Sequence, residues 1–149
     1  MHPLFRGLLV ILLVLAGWAA PPPLALSAGL DTVADRVFGQ THFTDSSPNT
    51  NGLSAASLSD PIGVAQDKQG NLYVADSINN RVLEYDAPLG TGAAAHRVFG
   101  QADFIHASPN HDGIRADSLN RPGFLALDDL GNLYVSDASN NRVLEYDAP

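Results

Sequence analysis

Two short polar runs carry the residue types in this sequence that could bind a ligand. In each run an Asp is followed three, four and five residues later by Asn, Asn and Arg. A carboxylate, two amides and a guanidinium could line a polar site around a central funnel. They could equally build a turn, with Asp accepting backbone N–H bonds and Arg pairing with a nearby carboxylate or carbonyl. The runs are Asp76, Asn79, Asn80 and Arg81, and then Asp137, Asn140, Asn141 and Arg142.

The recurrence of the run favours the turn. A catalytic group is usually needed once, whereas a repeated architecture needs its structural elements in every unit. We therefore expect Arg81 and Arg142 to make structural pairs. No residue of either run is assigned a catalytic role.

Neither the acidic turns nor the histidines have the spacing of a metal site. The stretches 67–71 and 128–132 lack the alternating oxygen ligands and distal Glu of a calcium loop. Gly70 and Gly131 are instead expected in tight hairpin turns. No HExxH spacing is present. The sequence predicts no metal and no cofactor, and solvated loop positions for the histidines that the duplication leaves unmatched: His42, His96, His106 and His111.

The chain repeats itself with a period of 61 residues. Residues 36–88 align with residues 97–149 without a gap, and 32 of the 53 positions are identical. We call these segments repeat 1 and repeat 2. Tandem repetition at this period indicates a fold in which each unit is one supersecondary element stacked on the next.

Each repeat has the pattern of short antiparallel strands. Strands of the first blade are expected at 63–67, 72–75 and 81–85 in repeat 1 and at 96–100, where repeat 2 begins. Leu72-Tyr73-Val74-Ala75 is apolar on both faces, which is typical of a strand buried on both faces. Four such strands predict an all-β fold of β-propeller blades. Repeat 2 provides three strands within 124–146, and residues 36–39 are expected to be an isolated outer strand.

The motif from Pro61 to Asp76, PIGVAQDKQGNLYVAD, followed by NNRV from Asn79, resembles the NHL repeat. Repeat 2 matches from Gly131 onward but has Gly123-Phe124 where repeat 1 has Ile62-Gly63. The resemblance covers about residues 36–149 and implies blades of a six-bladed propeller. It also implies two alternatives to a binding module: a metal-dependent, gluconolactonase-like hydrolase, and the RNA binding found in some intracellular NHL proteins.

Turns of an antiparallel blade alternate between its two ends. Residues 76–80 should therefore share one face with the long segment 41–60, and residues 137–141 with the segment 102–121. Because loops on a rigid scaffold usually carry binding, we expect this loop face to be the binding face. Its candidate residues are Asp76, Asn79, Asn80, Asp137, Asn140, Asn141, Asn49 and Asn110.

The first 28 residues resemble a signal peptide. Arg6 precedes an apolar run at 7–20, three prolines and small residues suited to cleavage between Ala25 and Ala28. An uncleaved anchor is the alternative. The preferred interpretation is a secreted or extracytoplasmic protein with no membrane attachment after cleavage. The absence of cysteine excludes disulfides and a lipid-attached cysteine.

The net charge of the chain indicates which classes of partner it can bind. From residue 29 onward, seven Lys and Arg face sixteen Asp and Glu, a net charge of −9. Binding to nucleic acid depends on clustered cations, so no nucleic-acid partner is expected. The leading hypothesis is an exported, non-enzymatic binding module with a protein or glycan ligand.

Two blades do not close a propeller, which usually needs four to eight. We expect residues 29–149 to be a propeller fragment, completed either by further blades in a longer product or by self-association of three chains. The strand at 36–39 would then be the fourth strand of a preceding blade, or would complete the last blade by ring closure.

Overall fold

The computed structural model describes residues 32–149, and the leader predicted for residues 1–28 lies outside that range. Val33–Pro149 form one compact unit. Within it no helix has the length and apolar character needed to cross a membrane. The described elements are β1 (Pro61–Gln66), β2 (Leu72–Asp76), β3 (Arg81–Tyr85), β4 (Arg97–Phe99), β5 (Pro122–Leu127), β6 (Leu133–Asp137), a short 3-10 helix (Ala138–Asn140) and β7 (Arg142–Tyr146).

Each blade folds as an antiparallel meander, and the last strand of the first blade comes from the start of repeat 2. One sheet has the order β1-β2-β3-β4 and the other β5-β6-β7. The duplication extends to the register, since Asp76 pairs with Arg81 as Asp137 pairs with Arg142. The predicted all-β fold, with one four-stranded and one three-stranded blade, is confirmed.

The expected strand at residues 36–39 is not formed. These residues have no strand structure, although the same RVFG sequence forms β4 in repeat 2. β4 is a strand because it pairs with β3 through Val82–Phe99, Leu83–Val98 and Glu84–Arg97. Residues 36–39 do not pair with β7, so ring closure within the chain does not occur. A strand needs a hydrogen-bonded neighbour as well as a suitable sequence.

The two blades share a hydrophobic core. One face of the first sheet supplies Tyr73, Ala75, Val82 and Phe99, and these pack with Leu119, Leu133 and Val135 of repeat 2. The other face of the first sheet is covered by its own repeat, where Leu58 and Phe38 pack near Val74, Leu83 and Tyr85. The central strands of repeat 1 are therefore buried on both faces.

A glycine lets the long segment fold back on its own blade. Gly100 has φ +86, and a Cβ there would lie 2.6–2.7 Å from the side chain of Leu119. Gly39 has the same relation to Leu58, with φ +78. Each Leu is buried at the start of the next blade. The long segment of each repeat is thus anchored at its beginning and end by one Gly–Leu contact.

Candidate functional site: the loop face and the joint between repeats

The Asp at the end of β2 is fully buried and fully bonded. Asp76 Oδ1 accepts the Ser59 backbone N–H at 2.7 Å, while Oδ2 accepts Arg81 Nε at 2.7 Å and Asn79 Nδ2 at 2.8 Å. Burial raises the pKa of Asp76, and the hydrogen bonds from Asn79, Ser59 and Arg81 oppose that rise. In repeat 2, Asp137 accepts the Asn120 N–H, Arg142 Nε and Asn140 Nδ2, each at 2.7 Å. Neither carboxylate is placed to meet a ligand.

Arg81 uses the rest of its guanidinium to hold backbone carbonyls. Nη2 donates to the carbonyls of Ser54 and Ser57, each at 2.9 Å, and Nη1 donates to the Phe104 carbonyl at 2.6 Å. Its side chain has no exposed surface. Because Phe104 belongs to repeat 2, Arg81 ties the long segments of both repeats to one blade end. A planar fork of donors suits this bridging role better than a Lys ammonium would.

The Asn residues of the two long segments meet the Asn residues of the turns. Asn49 and Asn79 exchange amide hydrogen bonds of 3.0 and 2.8 Å, and Asn110 and Asn140 exchange bonds of 3.0 and 2.6 Å. The turn and the long segment of each repeat thus lie on one face, which is the arrangement expected from strand order. These four amides are bonded to one another rather than directed at solvent.

Asn80 joins the two repeats. Its Nδ2 donates to the Ala107 carbonyl at 2.8 Å, its Oδ1 accepts the Arg121 N–H at 2.8 Å, and its carbonyl accepts Gln101 Nε2 at 2.9 Å. All three partners lie in repeat 2. Asn141, the equivalent residue, is exposed. We call the contacts of Asn80 and Arg81 with repeat 2 the joint.

Gly70 and Gly131 lie in hairpin turns at the opposite end of the blades. Both have positive φ, at +92 and +93. In the second turn, Asp128 Oδ1 accepts the N–H groups of Leu130 and Asn132, each at 2.9 Å. The hydrogen bond from the Asn132 N–H is the main reason that the pKa of Asp128 lies below its ordinary value. These turns are closed by their own hydrogen bonds.

The loop face also exposes side chains that sequence reasoning missed. Ile105 is 67% exposed and Ile114 is 66% exposed. They flank His106 and His111, whose rings lie 5.4 Å apart. Thr44 and Leu53 stand at the equivalent positions of repeat 1. For Ile105 the signal was available, because an apolar residue that appears in only one copy of a polar segment is not needed by the repeated fold. Ile114 gave no such signal, since its counterpart Leu53 is also apolar.

A shallow cavity lies beside these residues. It has a volume of about 260 Å³ and is lined mainly by Gln101, His111, Asp112, Arg115 and Asp117. His106 Nδ1 lies 2.6 Å from Asp103 Oδ1, and this hydrogen bond lowers the pKa of Asp103. Across residues 32–149 no group of three or more acidic, His or Cys side chains is arranged to hold a metal ion. The arrangement suits contact with a polar and apolar surface.

Two antiparallel meanders stacked face to face on a shared core define a protein built of β-propeller-type blades. The family model described as NHL repeat matches residues 58–85 and 119–146, and the chain is therefore an NHL-repeat protein. Each match covers the first three strands of a blade and begins at the Leu that anchors the long segment. A search of curated proteins found no match.

Proposed function

We propose that this protein is an exported, non-enzymatic binding module that presents its loop face to a protein partner. The observation that carries the proposal is the exposure of Ile105 and Ile114 on the segment 102–121. Exposed apolar side chains on a rigid frame are typical of protein interaction sites. The segment is held by the Asn110–Asn140 amide pair and by Arg142, which donates to the Arg115 and Ser118 carbonyls. An ordered segment loses less conformational entropy on binding.

A protein is a better match than a glycan for this surface. Two isoleucines offer no hydrogen bonds to sugar hydroxyls, whereas they can enter an apolar pocket of a partner. Arg115 and Asp117, which form an ion pair of 2.8 Å, would supply charged contacts at the rim. The net charge of −9 beyond the leader supports a partner that is not a nucleic acid.

Site-specific photo-crosslinking tests the binding face. A photoreactive residue at position 105 should give a discrete adduct with one protein in the extracellular fraction of the source cells. The matched control is position 130, because Leu130 is 80% exposed and lies in the turn at the other end of the blade. Adducts of equal size and yield from both positions would contradict the proposal, as would binding to a glycan array in place of any protein adduct.

Export is a separate part of the proposal. Its support is the pattern of Arg6, the apolar run at 7–20 and the small residues near Ala28. Cell fractionation followed by amino-terminal sequencing should find the protein outside the cytoplasm, with a new terminus between residues 25 and 29. A cytoplasmic chain that still begins at Met1 would contradict it.

A further inference from the structure

The joint forms once within residues 32–149, between repeat 1 and repeat 2. Each end of the repeat pair carries residues equivalent to one side of that joint. Inside the chain, Asn80 of repeat 1 enters a groove of repeat 2 and bonds to Gln101, Ala107 and Arg121. Subtracting the 61-residue period gives Gln40, Ser46 and Asp60 in repeat 1.

Those residues line a cavity. Its volume is about 450 Å³, and its walls are Phe38, Gly39, Gln40, Ser46, Pro48, Leu58, Ser59, Asp60 and Pro61. We call it the socket. The long segment around it already has the conformation seen at the joint, since Asp60 has φ +57 where Arg121 has φ +52. Gln40 Nε2 donates to the Ser47 carbonyl as Gln101 Nε2 donates to the Ser108 carbonyl. The socket is thus formed before anything fills it.

The other end of the repeat pair carries the complementary group, which we call the plug: Asn141, Arg142 and β7. Asn141 has φ +53, identical to that of Asn80, and is exposed. The Arg142 side chain is 25% exposed where that of Arg81 has no exposed surface. Arg142 Nη1 has no hydrogen-bond partner within residues 32–149, whereas Arg81 Nη1 holds the Phe104 carbonyl. β7 has an open edge where β3 pairs with β4.

We propose that the plug of one chain docks into the socket of a second copy of this chain, reproducing the joint between molecules. Asn141 would bond to Gln40, the Ser46 carbonyl and the Asp60 N–H of the second copy. Arg142 Nη1 would hold the Phe43 carbonyl, as Arg81 holds that of Phe104. Residues 36–38 of the second copy would pair with β7, so the sequence that lacks a strand partner in one chain obtains it from another.

Exposed apolar side chains at the two ends agree with this docking. Val143 beside the plug is 66% exposed, and its equivalent Val82 is fully buried at the joint. Val64 beside the socket is also 66% exposed, whereas its equivalent Leu125 packs into the shared core. Burial of these positions between copies would remove apolar area from water, as it does inside the chain.

One position requires the intermolecular joint to differ from the internal one. A Cβ at Gly63 would clash with the Gly123 carbonyl oxygen, so β1 and β5 meet backbone to backbone there. Phe124 occupies the equivalent position in repeat 2 and is 77% exposed. The inner strands of two copies must therefore meet through the Phe124 ring, which would lie against Ile62 and Val64 of the second copy.

The interface is head-to-tail, so each chain offers one plug and one socket. Such an interface forms a ring if the rotation closes and a filament if it does not. Sedimentation velocity on the full chain, purified as its host cells deliver it, should show a mass that rises with concentration in multiples of the chain mass. A monomer at the highest concentration that stays in solution would overturn the proposal.

A charge-reversal series identifies the interface. Glu84 Oε2 lies 3.5 Å from Arg97 Nε at the β3–β4 pair, and the equivalent intermolecular pair is Glu145 with Arg36. Both residues are exposed in the single chain, so substitution leaves its core intact. Glu145→Arg and Arg36→Glu should each weaken assembly by about tenfold or more, because like charges then face each other. The double variant should restore assembly.

Asp129→Arg is the matched control, since it makes the same charge change at a side chain that is 97% exposed on the other end of the blade. It should leave assembly unchanged. Because the chain has no native cysteine, a disulfide between Glu145→Cys and Arg36→Cys chains, mixed in equal amounts, reports the contact directly. Equal weakening by Asp129→Arg, or cross-linking no greater between the two variants than within either one, would overturn the proposal.

Discussion

Asn80 and Asn141 share a sequence context and a backbone conformation but differ in surroundings. Both have φ +53, yet Asn80 is 6% exposed and bonded to repeat 2 while Asn141 is exposed. The polar run at residues 76–81, which could have been a ligand site, forms a structural joint because repeat 2 follows it. A substitution at Asn80 can therefore be compared with the same substitution at Asn141 as its control.

Replacing each Asn by Ala separates the joint from the turn. Both substitutions place Ala at a left-handed φ, so the backbone strain is common to both. Only Asn80→Ala also removes three side-chain hydrogen bonds, one to the Ile78 carbonyl and two that join the repeats through the Arg121 N–H and the Ala107 carbonyl. Asn80→Ala should lower the free energy of unfolding by about 2 kcal/mol more than Asn141→Ala. Urea unfolding of dilute protein measures the difference, and equal losses would contradict the role of Asn80.

Acid should weaken the second hairpin turn through Asp128. Its folded pKa lies below the ordinary 3.8, so its contribution to stability is present above that value and is lost as pH falls through the folded pKa. The urea midpoint of Asp128→Asn should therefore lie below that of the native chain at pH 5, and the gap should narrow below pH 3.8. Asp129→Asn is the control, and a gap that is constant with pH would be inconsistent with this account.

Part of the residue-scale picture could be predicted. Repetition alone indicated that Asp76 and Arg81 build a turn, and the alternation of turns placed Asn49 on the face of Asn79. The partners of Asn80 could not be predicted, because they depend on how closely one blade packs on the next. Sequence identity also concealed the difference between Asn80 and Asn141, which arises only from their neighbours.

At the scale of elements, the long segment of each repeat is positioned by a glycine. Gly100 follows β4 and packs on Leu119, while Gly113 lies within the long segment with φ +104 and open space where a Cβ would be. Both positions disfavour an L side chain, but only Gly100 is also in close contact. Comparing substitutions at Gly100 and Gly113 therefore separates the effect of packing against Leu119 from the effect of backbone conformation.

Gly100→Ala should therefore destabilise the protein more than Gly113→Ala. Each substitution carries about 1 kcal/mol of left-handed strain. Gly100→Ala adds overpacking against Leu119, including its Cβ at 2.7 Å, which costs about 1–3 kcal/mol. Thermal unfolding followed by circular dichroism measures both. Equal shifts in the midpoint would show that the Gly–Leu contact does not anchor the segment.

Strand prediction succeeded where the chain supplies a pairing strand and failed where it does not. β2 and β3 pair within one hairpin, so their alternation and turn residues were sufficient. Residues 36–39 have the sequence of β4 without a strand beside them. The local sequence determines whether a segment is able to form a strand, and a neighbouring strand is needed for the strand to form.

At the scale of the whole molecule, the two repeats are one structural unit. The shared core draws Tyr73, Val82 and Phe99 from the first sheet and Leu119 and Val135 from repeat 2. Unfolding of either part would expose the apolar side chains that the other part contributes to this core. The joint adds directional bonds at the end of the blade where the shared core meets solvent.

Native-state hydrogen exchange resolved by peptide tests this account most directly, on dilute protein in which chains are monomeric. The slowest amides of β2, β3 and β6 should report a single free energy of opening, because exposing either core surface requires global unfolding. Asn80→Ala should lower this free energy of opening by the same amount in β2, β3 and β6. A native chain in which β6 opens at a clearly lower free energy than β2 and β3 would contradict the account, since the repeats would then be separate folding units.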